Sequence, residues 1–297
     1  MKFFGHVLTS IALISTAVCS WHQGKVLAFT ITQNNNFSQL LTNLLGDTTG
    51  LSNFSINLVG DGRAYGTFTD DPFNLGSAVA MSTGKVVDLA GVNQIDRSGQ
   101  DLSTDFGLPG SIGDSISMQV SFDNSSADNL YFQYVFGSEE FVEFGGSSFN
   151  DSFSLALNGI NRAKLSDGKT VTINNIATTP LGPFHPDFIN NRAGTGPASA
   201  ITRMDGYTKP LLFEAPLLKN RRNTLVINVQ DISDGIYDSA IFIKGGTFGT
   251  VRPPDIDDGD DDGDPERVPE PSSILGLLAF GAFSTFWLRK KRSTRVT

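Results

Sequence analysis

The feature that most constrains the fold of this chain is an alternation of apolar and polar residues with a period of two. It is clearest in residues 115–122, where serine and glutamine fill the positions between the apolar ones. The apolar positions are Ile116, Met118, Val120 and Phe122. Because successive side chains of a β-strand point to opposite faces, the pattern predicts a strand with one buried face.

The same alternation recurs later in the chain and indicates a domain built from strands. It runs through Phe153, Leu155 and Leu157, and again through Leu225, Ile227 and Val229. Residues 130–136 carry aromatic side chains on both faces, which favours a central strand covered on both sides. These patterns therefore predict that residues 29–254 form one all-β domain, a β-sandwich or jelly-roll.

One short helix is expected near the start of this domain. Apolar residues follow helical spacing from Phe37 to Leu45, with Asn36 as the capping residue. Gly46 is expected to close the helix as a C-terminal cap.

Composition excludes several classes of function. The chain has 297 residues and a formal net charge of -9, which disfavours nucleic acid as a partner. Its single cysteine is Cys19, so no intrachain disulfide can form. If residues 1–28 are removed, His185 is the only histidine left, which excludes a site built from two histidines of one chain.

Residues 1–28 have the features of a secretory signal peptide. Lys2 precedes an apolar stretch at 7–18 that is too short to span a bilayer. Cleavage before Phe29 by the export machinery is the first expectation. An uncleaved membrane anchor and a lipoprotein acylated at Cys19 are the alternatives.

The C-terminus has three consecutive parts: Val268-Pro269-Glu270-Pro271, an apolar run at 274–288, and basic residues at 289–292. As a helix the apolar run reaches about 22 Å, a marginal span of a hydrocarbon core of about 30 Å. The basic residues are expected to stay cytoplasmic, which leaves the domain outside the membrane. A buried C-terminal helix is the alternative.

This tail resembles the PEP-CTERM sorting signal of bacterial exported proteins, with Pro269-Glu270-Pro271 as the motif. The resemblance implies that an exosortase-type sorting enzyme recognises the tail and cleaves near the motif. It also implies a cell-surface or extracellular location after transient anchoring in the inner membrane through residues 274–288. Extracellular polysaccharide is the partner that this setting implies.

Residues 255–267 predict an acidic linker between domain and tail. The segment contains seven aspartates and one glutamate but a single arginine. Because its negative charges repel one another, it is expected to stay extended. Residues 258–263 also fit the first half of a calcium loop, but Pro269 stands where the bidentate glutamate is needed. A weak calcium site in the linker is therefore the alternative.

The domain resembles the choice-of-anchor L family through three motifs. They are Gly137-Ser138-Glu139-Glu140-Phe141, Ser147-Ser148-Phe149-Asn150-Asp151, and residues 231–240 with Asp231, Asp234 and Asp238. The resemblance implies an extracellular, surface-associated domain joined to differing C-terminal anchors, with no assigned activity.

Two groups of acidic residues are candidate metal ligands. The first is Glu139, Glu140 and Asp151, and the second is Asp231, Asp234 and Asp238. Calcium takes six to eight oxygen ligands, which carboxylates in loops at strand ends can supply. The hypothesis is one Ca²⁺ site shared by both groups. In the alternative, the aspartates cap turns and the glutamates face solvent.

No catalytic residue and no cofactor other than Ca²⁺ is predicted. The chain is expected to be a non-enzymatic surface or extracellular-matrix protein. One alternative is a calcium-assisted glycan-binding module. Another is a hydrolase acting on exopolysaccharide, with Glu140 and Asp238 as a carboxyl pair or a serine activated by His185.

Overall fold

The computed structural model of the chain describes residues 29–95, 102–106 and 113–254. The predicted signal peptide, acidic linker and sorting tail, including the expected membrane segment 274–288, lie outside the described residues. Within the described ranges, no helix has the length and apolarity needed to cross a membrane.

The described residues form thirteen strands and four short helical segments. The strands are β1 (Thr30–Gln33), β2 (Leu51–Val59), β3 (Tyr65–Thr69), β4 (Ser77–Ser82), β5 (Ser115–Asn124), β6 (Asn129–Ser138), β7 (Ser152–Leu157), β8 (Ile160–Asn161), β9 (Phe188–Asn190), β10 (Gly206–Thr208), β11 (Leu211–Pro216), β12 (Arg221–Gln230) and β13 (Ser239–Lys244). The helices are α1 (Phe37–Leu44) and α2 (Ile173–Ile176), with 3₁₀ turns at Gly62–Ala64 and Val86–Leu89.

The strands build two antiparallel sheets. Sheet 1 has the order β1-β3-β4-β13-β6-β10-β9, and β11 also pairs with β6. Sheet 2 has the order β2-β5-β12-β7-β8. The predicted all-β sandwich is therefore confirmed.

Sheet 2 contains the strands that the alternating pattern predicted. Strand β12 pairs with β5 from Arg221 opposite Asn124 to Gln230 opposite Ser115, and on its other side it pairs with β7. Their apolar alternate residues are at most 3% exposed. These buried positions include Met118, Leu155 and Ile227.

Aromatic side chains fill the space between the two sheets. Phe153 of sheet 2 lies with its ring centroid 5.2 Å from that of Tyr134 and 6.1 Å from that of Phe136. Phe248 stacks on Phe132 at 5.7 Å and meets Phe122 edge-on at 5.9 Å. Each ring buries a large apolar area, so this layer dominates the hydrophobic stabilisation of the domain.

Strand β6 is covered on both sides, as its aromatic sequence predicted. Residues 132–138 are all buried. On the side of sheet 1 away from sheet 2, Phe242 of the neighbouring β13 packs against Phe73 at 4.6 Å and Phe68 at 5.5 Å. Met204 lies against Gly137 so closely that a Cβ there would stand 2.5 Å from its Sδ.

The expected N-terminal helix is present, but Gly46 does not act as its left-handed cap. The Asn36 side chain accepts a hydrogen bond from the Gln39 backbone N–H, which confirms the predicted N-cap. The helix ends at Leu44, and Leu45 is extended. A Cβ at Gly46 would collide with the Gly246 carbonyl, so glycine is required there by close approach of two backbones. Helix α2 has no counterpart in the sequence prediction.

Tyr65 joins the two sheets by a polar contact. Its ring lies in β3 of sheet 1 and is fully buried. Its hydroxyl is 2.7 Å from the Val59 carbonyl oxygen and 2.8 Å from the Ser117 carbonyl oxygen, both in sheet 2. The single hydrogen of this buried hydroxyl is therefore shared between two carbonyl oxygens of sheet 2.

Replacing Tyr65 with Phe should lower the free energy of unfolding by about 1–3 kcal/mol, because the core volume is kept while buried carbonyls lose their donor. Urea denaturation measures the change. Tyr131→Phe is the matched control, since within the described ranges the hydroxyl of the half-buried Tyr131 has a hydrogen bond only with Asn129, at 3.0 Å. Equal stability of Tyr65→Phe and wild type would contradict the bridging role.

Candidate functional site

Strand pairing brings the two predicted acidic groups together at one end of the sandwich. Ser138 of β6 pairs with Ser239 of β13, which places Glu139 beside Asp238. The Glu139 backbone N–H donates to the Asp238 carbonyl at 3.2 Å. In sheet 2, Gln230 pairs with Ser152, which places Asp231 beside Asp151.

We call Glu139, Glu140, Asp151, Asp231 and Asp238 the acidic cluster. Each of these five side chains is at most 1% exposed. The sixth predicted ligand, Asp234, is partly exposed at the margin of the cluster. The alternative in which Glu139 and Glu140 face solvent is therefore wrong, because β6 carries them into the interior.

Residues 102–106, here called the strap, cover the cluster with backbone donors. The Leu102 N–H donates to Glu139 Oε2 at 2.7 Å. The Thr104 N–H lies 3.3 Å from both carboxylate oxygens of Asp238. The strap thus supplies hydrogen bonds that a buried carboxylate needs.

Asp114 is a further buried acid of this region that the sequence analysis missed. It is 1% exposed and accepts a hydrogen bond from the Phe106 N–H of the strap at 2.6 Å. Its backbone carbonyl accepts from the Asp231 N–H at 3.0 Å. Its position directly before the predicted strand at 115–122 is the signal that identifies it, since the other candidate ligands also lie near strand ends.

Asp151 ties the loop before β7 to the loop after β12. Its Oδ1 accepts from the Ile232 N–H at 2.9 Å, and its Oδ2 accepts from the Ser239 hydroxyl at 2.8 Å. The Ser239 N–H in turn donates to the Thr83 hydroxyl at 2.9 Å. Asp151 therefore connects the ends of both sheets.

Two glycines allow backbone to approach the cluster closely. A Cβ at Gly84 would overlap the Asp238 carboxylate, and a Cβ at Gly113 would overlap the Asp231 carbonyl group. Gly113 also has a φ of +81°, which favours glycine on its own account. Both positions therefore require glycine for the cluster to close.

Some buried oxygens of these acids have no hydrogen-bond partner within the described ranges. They are Oε2 of Glu140 and Oδ1 of Asp114. Neither oxygen of Asp231 is in a hydrogen bond of good geometry, although the Thr83 hydroxyl and the Asp151 carboxyl group lie beside its carboxyl group. A buried polar atom without a partner costs about 1–3 kcal/mol, and more if it is charged. The cluster is therefore incompletely satisfied by the protein itself.

Burial and mutual repulsion raise the pKa values of these acids. Burial, followed by the charges of Asp151 and Asp234, raises the pKa of Glu140 to about 10. Burial raises the pKa of Asp238 to about 7 and that of Asp114 to about 6. The pKa values of Asp151 and Asp231 are also raised, chiefly by burial.

The arrangement is not a preformed metal site. Within the part of the chain that the structure describes, no group of three or more His, Cys, Asp or Glu residues is already placed to hold a metal ion. The shared Ca²⁺ site stays a prediction, and a cation would have to draw the carboxylates inward.

A second feature is a groove of about 450 Å³ beside β1 and β3. Thr30 pairs with Thr69 and Thr32 pairs with Thr67, so the four hydroxyl side chains share one face. The groove is lined without charged residues, and Gly245, directly after β13, lies in its wall. Asp238 directly precedes β13, so the groove and the acidic cluster lie at opposite ends of that strand.

Comparison with known families identifies the domain. Residues 29–249 match the choice-of-anchor L domain, and the chain belongs to that family. Residues 267–291 match the PEP-CTERM protein-sorting motif. The chain is thus an exported protein whose C-terminus anchors it transiently in the membrane and is recognised by exosortase-type sorting machinery.

Comparison with solved structures gives only weak similarity. A family 35 carbohydrate-binding module from an environmental isolate is 15% identical, with 56% of this chain and 90% of that chain covered and a TM-score of 0.23. The enzymatically active domain of tailspike protein 4 of bacteriophage CBA120 is 13% identical, with 72% and 21% covered and a TM-score of 0.24. At these TM-scores neither carries an argument about function. No curated protein matches the chain.

Stability in the presence of a chelator should rise as the pH falls from about 8 to about 5. The folded-state pKa values of Glu140 and Asp238 are raised above those of the unfolded chain, so their protonation favours the folded state. That stability is fully present below the unfolded pKa of about 4 and is lost as the pH rises through the folded value.

Each group that gains a proton only on folding contributes about 1.4 kcal/mol per pH unit in this window. Urea denaturation at both pH values measures the slope, and Glu140→Gln should make it shallower. A wild type that is more stable at about pH 8 than at about pH 5 would refute this assignment.

Proposed function

We propose that the mature protein is a non-catalytic component of the cell surface or extracellular matrix, delivered there by its C-terminal sorting signal. The observation that supports this proposal is the enclosure of the acidic cluster. The acids that could perform chemistry are directed into the interior, and the backbone of the strap donates hydrogen bonds to Glu139, Asp238 and Asp114. They serve the architecture of the domain.

The hydrolase alternative relies on Glu140 and Asp238 as its pair of carboxyl groups. A glycoside hydrolase places two carboxyl groups on either side of a bound sugar ring. Glu140 and Asp238 are each 1% exposed, which leaves no access for a polymeric substrate. In the serine alternative, the Ser166 hydroxyl donates its hydrogen bond to Asp187 at 2.9 Å and not to His185.

Replacing Pro269, Glu270 and Pro271 with Ala should leave the unprocessed protein in the inner membrane, because the sorting enzyme loses its motif. Wild type should reach the outside without residues 274–297. Mass spectrometry of membrane and extracellular fractions decides this through peptides that contain Trp287.

The control replaces Asp260, Asp261 and Asp262 with Asn, which changes the linker charge and keeps the motif, and it should be processed normally. Recovery of Trp287 peptides from extracellular wild type would refute processing at this motif. Release of reducing ends from exopolysaccharide by wild type, lost in Glu140→Gln, would overturn the non-catalytic assignment.

The threonine-lined groove favours glycan binding as a second candidate function. Exposed and half-buried hydroxyl groups in an uncharged groove suit the hydroxyl groups of a neutral polysaccharide. Because the groove and the acidic cluster lie at opposite ends of β13, a glycan there would not contact a cation in the cluster. Binding in this groove is thus proposed without calcium as a ligand bridge.

The double variant Thr32→Val, Thr67→Val should weaken binding to neutral polysaccharide several-fold, because each lost hydroxyl removes about 1 kcal/mol of hydrogen bonding. Glycan-array and calorimetric binding measure the loss, and a chelator should have no effect. Thr195→Val, at an exposed turn outside the groove, is the control. Equal binding by wild type and the double variant would remove the groove as the site.

A further inference from the structure

We propose that two copies of this chain form a symmetric dimer through a pocket beside β9, with Leu181 of each copy entering the pocket of the other. This pocket, here called the β9 pocket, has a volume of about 260 Å³. It shares no lining residue with the threonine-lined groove and contains no member of the acidic cluster. Dimerisation through this pocket therefore does not depend on the proposed surface function.

The first observation is the exposure of Leu181. Its side chain is 89% exposed, whereas Val251, the next most exposed large apolar residue within the described ranges, is 59% exposed. A single exposed apolar residue is ordinary on a protein surface, but Leu181 stands at the rim of a pocket with apolar walls. An apolar projection beside an apolar pocket is typical of a contact surface, where a buried anchor fills a pocket.

The loop that carries Leu181 is held in place by its own hydrogen bonds. The Thr179 hydroxyl donates to the Gly182 carbonyl at 2.7 Å, and the Gly182 N–H donates to the Thr179 carbonyl at 3.0 Å. The pairing of Ala177 with Phe184 closes the base of the loop. Because the loop is already fixed, little conformational entropy is lost when Leu181 enters a partner.

The second observation is the aromatic wall of the β9 pocket. Phe141 and Phe184 line the pocket, and the Phe188 ring contacts both, with centroid distances of 4.8 Å and 5.3 Å. Phe141 is 1% exposed, so this wall is anchored in the core. The pocket is smaller than the range of about 300–1,000 Å³ that is usual for small-molecule sites, and it suits a single large side chain.

The third observation is an open backbone edge in the wall of the pocket. Strand β9 ends sheet 1, and the Asn191 N–H donates to the carbonyl of Asp205, directly before β10, at 2.8 Å. Because the backbone groups of successive residues point to opposite sides of a strand, the N–H and C=O of Asn190 point away from β10. Neither group has a hydrogen bond to a described residue, and Asn190 lines the pocket. An incoming loop can therefore pair with one backbone donor and one acceptor there.

The occupant is a second copy because the projection and the pocket lie on one patch. In a two-fold contact the same patch serves both subunits, so a surface that carries a projection beside a matching pocket can pair with itself.

The charges of the patch also permit this pairing. The β9 pocket is lined by Arg192 and Glu143, one charge of each sign, and by the buried Asp205, which accepts from the Asn93 amide at 2.7 Å. Two such patches can face each other without an excess of like charge at their rims. The chain as a whole has a net charge of -9, so two copies that met on an acidic face would repel each other.

The experiment is sedimentation-velocity ultracentrifugation of the exported protein at concentrations up to about 100 µM, which covers weak as well as stable contacts. Wild type should shift from monomer to dimer as the concentration rises and form no larger species, because a two-fold contact closes on itself. Leu181→Ser should raise the dissociation constant about 100-fold, since the burial of leucine is lost from both halves of the contact.

Leu218→Ser is the matched control and should dimerise as wild type does. Leu218 is 48% exposed and lies in the turn between β11 and β12, outside the pocket. Both substitutions fall on exposed side chains, and thermal unfolding checks that both variants fold.

Hydrogen exchange locates the contact on the molecule. At high concentration residues 181–190 of wild type should exchange more slowly than at low concentration, and Leu181→Ser should lack this protection. A Leu181→Ser protein with the wild-type dissociation constant overturns the proposal, and so does a wild type that stays monomeric throughout the range.

Discussion

The central constraint on this structure is the burial of five carboxyl groups at the end of the sandwich where strands of both sheets end. The pairing of Ser138 with Ser239 and of Gln230 with Ser152 fixes their positions. Moving either strand pair by one residue would turn the acids to the other face of the sheet and disrupt the core. The burial of the acidic cluster and the packing of the core therefore require the same strand register.

The aromatic layer between the sheets provides the free energy that makes this burial possible. Rings such as Phe132, Phe153 and Phe248 are buried almost completely, and each contributes several kcal/mol relative to alanine. The strap lowers the cost by donating backbone N–H groups to Glu139 and Asp238. The strap donates no hydrogen bond to Asp231 or Glu140, and the raised pKa values of these two acids favour their neutral, protonated forms.

Local patterns predicted the strands and the first helix because those patterns are local in origin. The period-two runs gave β5, β7 and β12, and Asn36 gave the N-cap of α1. The burial of Glu139 and Glu140 was not accessible in this way, since it follows from pairing with a strand a hundred residues later. The role of Gly46 likewise depends on the distant Gly246. The helix-capping rule therefore identified Gly46 as a required glycine but gave the wrong physical reason for the requirement.

The domain and the sorting motif match two different families over separate ranges of the chain. The domain match ends at residue 249 and the sorting match begins at residue 267. The sorting machinery can therefore recognise the tail without recognising the domain. The five acids of the acidic cluster are internal, so they belong to the fold and not to the outer surface of the domain. The sorting signal in the tail therefore determines export, whereas the exposed faces of the domain, such as the threonine-lined groove, are the surfaces that remain accessible to a partner.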